Sequence, residues 1–140
     1  MERADWVAGF HMGSHLLAES QQMVRLTGLD LISLHILAEV AMGAAQRTVR
    51  HLQAGRDPVA LVPISSRKVA LMTGIPRETA RRRISRLVET GYLRKERDGL
   101  LPTDRLDAGL LHDTLRESIA RHARLTNQLM EAGLLVLAEG

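Results

Sequence analysis

Apolar residues recur at helical spacing through both ends of the chain, and a different pattern interrupts them in the middle. The first stretch predicts a helix over roughly Ser14 to Leu26, closed near Gly28. Asp30 suits the N-cap of a second helix from Leu31 to about Gln53, with Gly55 just past its end. In that helix Leu31, Leu34, Ala38, Ala41, Ala45 and Leu52 follow three-four spacing, and Ile32, Ile36, Leu37 and Val40 make the other side apolar too. The pattern predicts burial nearly all round, with Met42-Gly43-Ala44-Ala45 letting another helix come close. Residues 56–62 read as a connecting loop. The last stretch opens at Thr103 as a cap, with Asp104 and Asp107 in its first turn. Leu111, Leu115, Ser118, His122, Leu125 and Leu129 then recur at heptad-like spacing, thickened by Leu106, Leu110 and Ile119. Gly109 and Gly133 are weak points, so one long helix or two shorter ones fit.

The middle pattern, residues 65–93, predicts two short helices around a tight turn. Val69, Ala70 and Ile75 fall where a bracing helix and its turn must face a core. Thr73-Gly74 closes the first helix, because glycine tolerates the left-handed backbone just past a helix end. Pro76 suits the first position of the next helix, where its missing N–H costs nothing. Ala80, Ile84, Leu87 and Val88 then form one apolar stripe, and Gly91 stops the helix. This is the layout of a helix-turn-helix, whose second helix enters the DNA major groove.

At 100° per residue the opposite face presents Glu78, Arg82, Ser85 and Glu89, with Thr79 and Arg86 beside them and Arg81 and Arg83 on the flanks. Arg77 lies in the first turn. Arginine is the best bidentate donor to guanine and also grips phosphates, and Glu78 can accept from a cytosine amino group. Flanking arginines would hold phosphates, which set register without reading sequence. A plainer reading is a solvated helix face, since Glu78 and Arg82 have the favourable i, i+4 spacing. The strand-like Tyr92–Glu96, the turn signal Asp98-Gly99 and the return Leu100-Leu101, ended by Pro102, predict a hairpin wing carrying Arg94, Lys95 and Arg97. Pro63-Ile64-Ser65 could add a short third strand. With Ser66 and Arg67 at the start of the bracing helix, the candidate DNA contacts are Ser66, Arg67, Arg77, Glu78, Thr79, Arg81, Arg82, Arg83, Arg86, Arg94, Lys95 and Arg97.

The string VALMTGIPRETARRRISRLVETGYL carries a resemblance. Small apolar residues, a turn glycine, Thr-Ala-Arg-Arg, Ile, Leu, Glu and Gly-Tyr-Leu occur in the order found in winged helix-turn-helix domains of bacterial transcription regulators, and residues 63–105 resemble that domain. The mid-chain placement between helical segments is MarR-like, as in the family named after the multiple-antibiotic-resistance regulator. The short wing is similar to that of the isocitrate-lyase regulator family, and the Asp-x-Arg signature of the first family's longer wing is absent. The resemblance implies a mainly α fold: a winged helix-turn-helix with flanking N- and C-terminal helices and a small β-hairpin wing. It also implies double-stranded DNA as partner and a homodimer reading half-sites, with a small-molecule effector left open.

Charge distribution agrees. Residues 63–105 hold 11 Lys or Arg against 5 Asp or Glu, net +6, and the remainder is net −3, giving the chain's +3. Positive potential is thus expected on one unit rather than throughout. The chain has 140 residues, 45% of them apolar, with Trp6, Phe10 and Tyr92 as its aromatics, so an aliphatic helical core is expected. One domain, 1–140, is the economical division: N-terminal helices at 1–62, the winged segment at 63–105, and a C-terminal dimerisation helix at 106–140. With no cysteine, disulfides and thiolate chemistry are excluded. No apolar run is long enough for a membrane span, and Met1-Glu2-Arg3-Ala4-Asp5 does not resemble a signal peptide, so the cytoplasm is the expected location.

Catalytic signatures are missing, so no enzyme and no cofactor are expected. His11 and His15 share a helix face at a spacing that can hold a metal, but Gly13 lies between them and no third ligand is near in sequence, so no metal site is expected. His35 is expected in the core, and His112 and His122 within a helix interface. Two other functions fit the same residues. One is a DNA-binding replication or partition module. The other is a ligand-sensing helical domain whose pocket would use Trp6, Phe10, Met23 and Met42.

Overall fold

The computed structural model describes residues 2–105 and 108–136. Its elements run α1 (Arg3–Thr27), α2 (Leu31–Gln53), α3 (Ser66–Thr73), α4 (Arg77–Glu89), β1 (Leu93–Glu96), β2 (Gly99–Pro102) and α5 (Ala108–Glu131). The protein is mainly helical, with a small antiparallel two-stranded sheet. Contacts group it into two compact units, one running from α2 through β2 and the other made of α1 and α5. α2 groups with the central segment because its buried face supplies the floor on which that segment folds.

In the α2-to-β2 unit, Ile36, Val40 and Ala44 of α2 are fully buried, and Leu37 nearly so. They join Ile64, Val69, Ile84, Leu87, Tyr92, Leu93, Leu100 and Leu101 in one core. Asp30 caps α2 as expected, accepting from the Ser33 backbone N–H at 3.0 Å. The helix is buried on one side only, contrary to the all-round burial its sequence predicts. Leu31, Ile32, Met42, Val49 and Leu52 are exposed, and so is His35, which was expected in the core. α3, α4 and the sheet cover one face of α2, and nothing else within the unit covers the other. At Gly43 the close neighbour is the Ile64 side chain rather than a helix: a Cβ there would lie 3.2 Å from it. The 56–62 loop is pinned back onto α2 by Val59 N–H to Thr48 Oγ1 at 2.8 Å and Val62 N–H to the Ala44 carbonyl at 3.0 Å.

α3 is capped by Ser65, which accepts from the Lys68 N–H at 3.1 Å, and ends at Gly74 with φ 69°. Pro76 is the N-cap of α4 rather than its first helical residue, with extended ψ of 137°. Ala80, Ile84 and Leu87 form the buried stripe of α4, with Val88 half-buried beside it. The strands pair Leu93 with Pro102, Arg94 with Leu101, Lys95 with Leu100 and Glu96 with Gly99. The expected third strand is a single bridge, Ile64 with Leu100, closed by hydrogen bonds of 3.0 and 2.8 Å. Thr103 does not cap α5. Its hydroxyl donates to the Gly91 and Tyr92 carbonyls and so ties the end of the hairpin to the end of α4.

The α1/α5 unit is built differently. α1 starts at Arg3, well before the expected Ser14, because Glu2 and Asp5 form a reciprocal cap. Each helix is continuous, so Gly9 and Gly13 do not break α1 and α5 is one long helix. Leu106 and Asp107, and the side chain of Leu110, lie outside what is described. The two helices are joined by polar contacts: Arg121 and Ser118 both donate to Glu19, Arg121 also donates to Gln22 Oε1 at 3.0 Å, and Gln22 Nε2 donates to Glu117 at 2.5 Å. No hydrophobic residue of this unit is buried among the described residues, and Trp6, Phe10, Leu16, Leu17, Leu115 and Ile119 are each more than half exposed. Two helices alone cover one stripe of each other and leave the rest to solvent.

Candidate nucleic-acid interface

The buried stripe of α4 fixes which of its side chains reach solvent. Arg77, Glu78, Arg81, Arg82, Ser85, Arg86 and Glu89 are exposed, and Thr79 and Arg83 are half-buried at the stripe's edges. The candidate residues fall into three neighbourhoods. Ser66 and Arg67 of α3 line a concavity of about 370 Å³ with Arg77, Glu78 and Arg81. Ser66 also lines a shallow cleft of about 270 Å³ with Lys95 and Arg97 of the hairpin, so the two depressions adjoin at that serine. Thr79, Arg82, Arg83 and Arg86 form a third group on the outer side of α4.

Ion pairing separates cations that are free from cations already engaged. Arg81 binds Glu78 through two hydrogen bonds, of 2.6 and 3.0 Å, one to each carboxylate oxygen. The Arg81 hydrogen bond holds the Glu78 carboxyl below its ordinary range. A Glu78 committed in this way is not free to accept from a cytosine unless Arg81 lets go. Arg83 donates to Asp30, the cap of α2, so it braces α4 against α2. Arg94 pairs with Glu96 at 2.9 Å on the same side of β1 and lines none of the three depressions. Arg67, Arg77, Arg82, Arg86, Lys95 and Arg97 form no ion pair among the described residues. Arg105 keeps its charge at the surface, with its guanidinium 4.4 Å from the centre of the Tyr92 ring.

The exposed strip is thus a set of unpaired guanidinium and ammonium groups on α3, α4 and the hairpin, held by elements that share one core. The five guanidinium groups can bind phosphate and guanine edges bidentately, Lys95 can bind phosphate as a point charge, and no ion pair among the described residues engages any of the six. Sequence reasoning missed the Asp30–Arg83 brace, whose partners lie 53 positions apart. Only the capping role of Asp30 had a local signal.

The apolar residues suggested as a ligand pocket are not gathered into one. Trp6 and Phe10 are largely exposed on α1, while Met42 lines a cleft of about 220 Å³ with Ile64, Val69 and Met72 in the other unit. That volume is below the roughly 300–1,000 Å³ of small-molecule sites. No single helix among the described residues is long and apolar enough to cross a membrane. No family model, no curated protein and no solved structure matches the chain.

Proposed function

We propose that the chain is a sequence-specific, double-stranded-DNA-binding transcription regulator that acts as a dimer, with residues 63–105 as a winged helix-turn-helix. The observation that carries this reading is the exposed face of α4. It sets Arg77, Arg82 and Arg86 in solvent with no ion pair among the described residues, while Ala80, Ile84 and Leu87 of the same helix are buried in the core. A helix of 13 residues is about 20 Å long and fits a major groove about 12 Å wide. In this reading Arg77 and Arg82 read base edges. Arg67, Arg86, Lys95 and Arg97 hold phosphates, and Ser66 and Thr79 add hydrogen bonds to the backbone. Arg83 contributes least, being engaged by Asp30, and Arg81 and Glu78 act as a pair.

The dimer rests on the α1/α5 unit. A helix pair with no buried apolar residue among those described and seven large ones more than half exposed is half of a bundle, and a second copy related by a twofold completes it. A dimer would present two α4 helices to one duplex, so the bound site is expected to hold two half-sites. Mapping the bound fragments across the host genome tests the reading. A small set of inverted repeats at promoters is expected. Enrichment confined to replication or partition loci would assign the DNA binding to that task instead.

A further inference from the structure

Three ligand-type side chains converge where α1 meets α5. One atom each of His15, Glu19 and His122 lies within 4.8 Å of the other two. His15 and Glu19 are one turn apart on α1 and share a face. His122 comes from α5, and its ring meets that of His15 edge-on, with centroids 4.2 Å apart. His11, which the spacing pairs with His15, instead sits against Phe10.

Each group is prepared for ligation. His122 Nδ1 lies 3.1 Å from the Ser118 carbonyl oxygen. A carbonyl only accepts, so Nδ1 carries the hydrogen, and in the neutral ring Nε2 keeps a free lone pair. Metal-bound histidines are oriented by contacts of this kind. Burial pushes the Glu19 carboxyl up, but the hydrogen bonds from Ser118 and Arg121 outweigh it and hold the group ionised. A carboxylate offers about four lone-pair sites, so two donors leave it room to ligate. His15 supplies an independent sign. It is more than nine-tenths buried, and its Nδ1 is the one buried side-chain nitrogen or oxygen without a hydrogen-bond partner among the described residues. Such orphaned groups are rare in folded proteins and call for an occupant.

We propose that His15, Glu19 and His122 bind a divalent transition-metal ion of the zinc class. Two imidazoles and one carboxylate suit Zn²⁺ and its neighbours and do not suit Mg²⁺ or Ca²⁺, which take oxygen ligands. Three protein ligands leave a fourth position for water or another donor. His15 also lines an open cleft of about 400 Å³ with Phe10, Ser14, Arg121 and Leu125, which gives that position access to solvent. The 4.8 Å spread is wider than the roughly 3.4 Å edge of a tetrahedral zinc site, so binding draws the three side chains together by about 1 Å. As the ion takes up the Glu19 charge, Arg121 keeps Gln22 Oε1 as a partner. The ion would cross-link α1 to α5 in a unit whose described residues bury no apolar side chain. The site does not depend on DNA binding by α4, and either can fail alone.

Titration of the chelator-stripped full-length protein with Zn²⁺ alone, by calorimetry, and with Co²⁺, by visible absorption, tests the site. One ion per chain is expected at micromolar affinity or tighter, unaffected by excess Mg²⁺. His122→Ala should weaken binding at least about tenfold, while His11→Ala should not change it. His122 is exposed, so its replacement leaves no cavity, and circular dichroism verifies that the variant is folded. Zn²⁺ should also raise the Tm of the wild type and not that of His122→Ala. No saturable binding below about 100 µM, or wild-type affinity in His122→Ala, overturns the proposal.

Discussion

Replacing Asp30 probes the packing beneath α4, because one carboxylate caps α2 and also binds Arg83. It accepts from the Ser33 N–H at 3.0 Å and from Ser33 Oγ at 3.2 Å, besides the Arg83 contact. Loss of an Asp N-cap costs about 0.5–2 kcal/mol. The ion pair adds little, because the Asp30 side chain is half exposed and that of Arg83 a third exposed, leaving about 0–0.5 kcal/mol after screening. Asp30→Ala should therefore destabilise by about 1–2 kcal/mol and lower the Tm by about 5–15 °C for a unit of this size. Asp30→Asn keeps a capping acceptor and should stay within about 0.5 kcal/mol of wild type. The Ser33 backbone hydrogen bond first, and then Arg83, hold the Asp30 carboxyl below its ordinary 3.8 against the upward push of burial. A depressed pKa gives stability that is complete above the unfolded value and lost as pH falls through the folded one. The gap between wild type and Asp30→Ala should thus be full at pH 7 and shrink below about pH 3.8. Thermal unfolding followed by circular dichroism at pH 7 and pH 3 reads both effects. Equal losses for Ala and Asn would show that charge rather than capping dominates, and an unchanged Asp30→Ala would refute the cap. Asp30→Asn also frees Arg83, so its affinity for random duplex should rise about twofold to fivefold.

Three further outcomes follow from other parts of the structure. Leu115→Glu with Ile119→Glu, both at exposed positions of α5, should leave a folded monomer in sedimentation experiments, and a wild type that is monomeric at about 10 µM would contradict the dimer. Gly99→Ala should cost about 2–4 kcal/mol by denaturant unfolding, because φ is 147° there and the new Cβ would lie 2.6 Å from the Ile64 backbone; wild-type stability would disprove the described Ile64–Leu100 bridge. Arg97→Ala should weaken cognate and random duplexes alike and reduce the salt slope by about one, while Arg94→Ala, already paired with Glu96, should change less; the reverse order in an anisotropy titration would count against the ion-pair assignment.

Local signals were readable wherever one residue type has one job. The caps at Asp30 and Ser65, the left-handed Gly74 and the Asp98-Gly99 turn bound α2, α3 and the hairpin close to where spacing puts them. The α4 stripe was equally plain, because Ala80, Ile84 and Leu87 leave no other face apolar. What failed was inference from apolar content to burial. α2 is apolar all round, yet a helix is buried only where something covers it, and coverage is a long-range property. Thr103 failed for a similar reason: its hydroxyl had a cap to form in sequence but found carbonyls of the preceding turn in space. Likewise, spacing along one helix suggests His11 with His15, whereas the partner of His15 comes from α5, more than a hundred positions away. Pairing among charged groups was also hidden: nothing local says that Arg83 is engaged while Arg82, one residue before it, is free.

The most direct test of DNA reading by α4 is a fluorescence-anisotropy titration over 50–200 mM salt. It compares wild type and Arg82→Ala on a duplex selected from a random pool and on a scrambled duplex of equal length. Wild type should prefer the selected duplex. With Arg67, Arg86, Lys95 and Arg97 on phosphates, the log–log salt slope should be about −3 to −4 per chain. Arg82→Ala should lose about 1–3 kcal/mol on the selected duplex and much less on the scrambled one. Equal losses on both would make Arg82 a phosphate contact, and wild-type protein that binds no duplex in a salt-dependent manner would contradict the account.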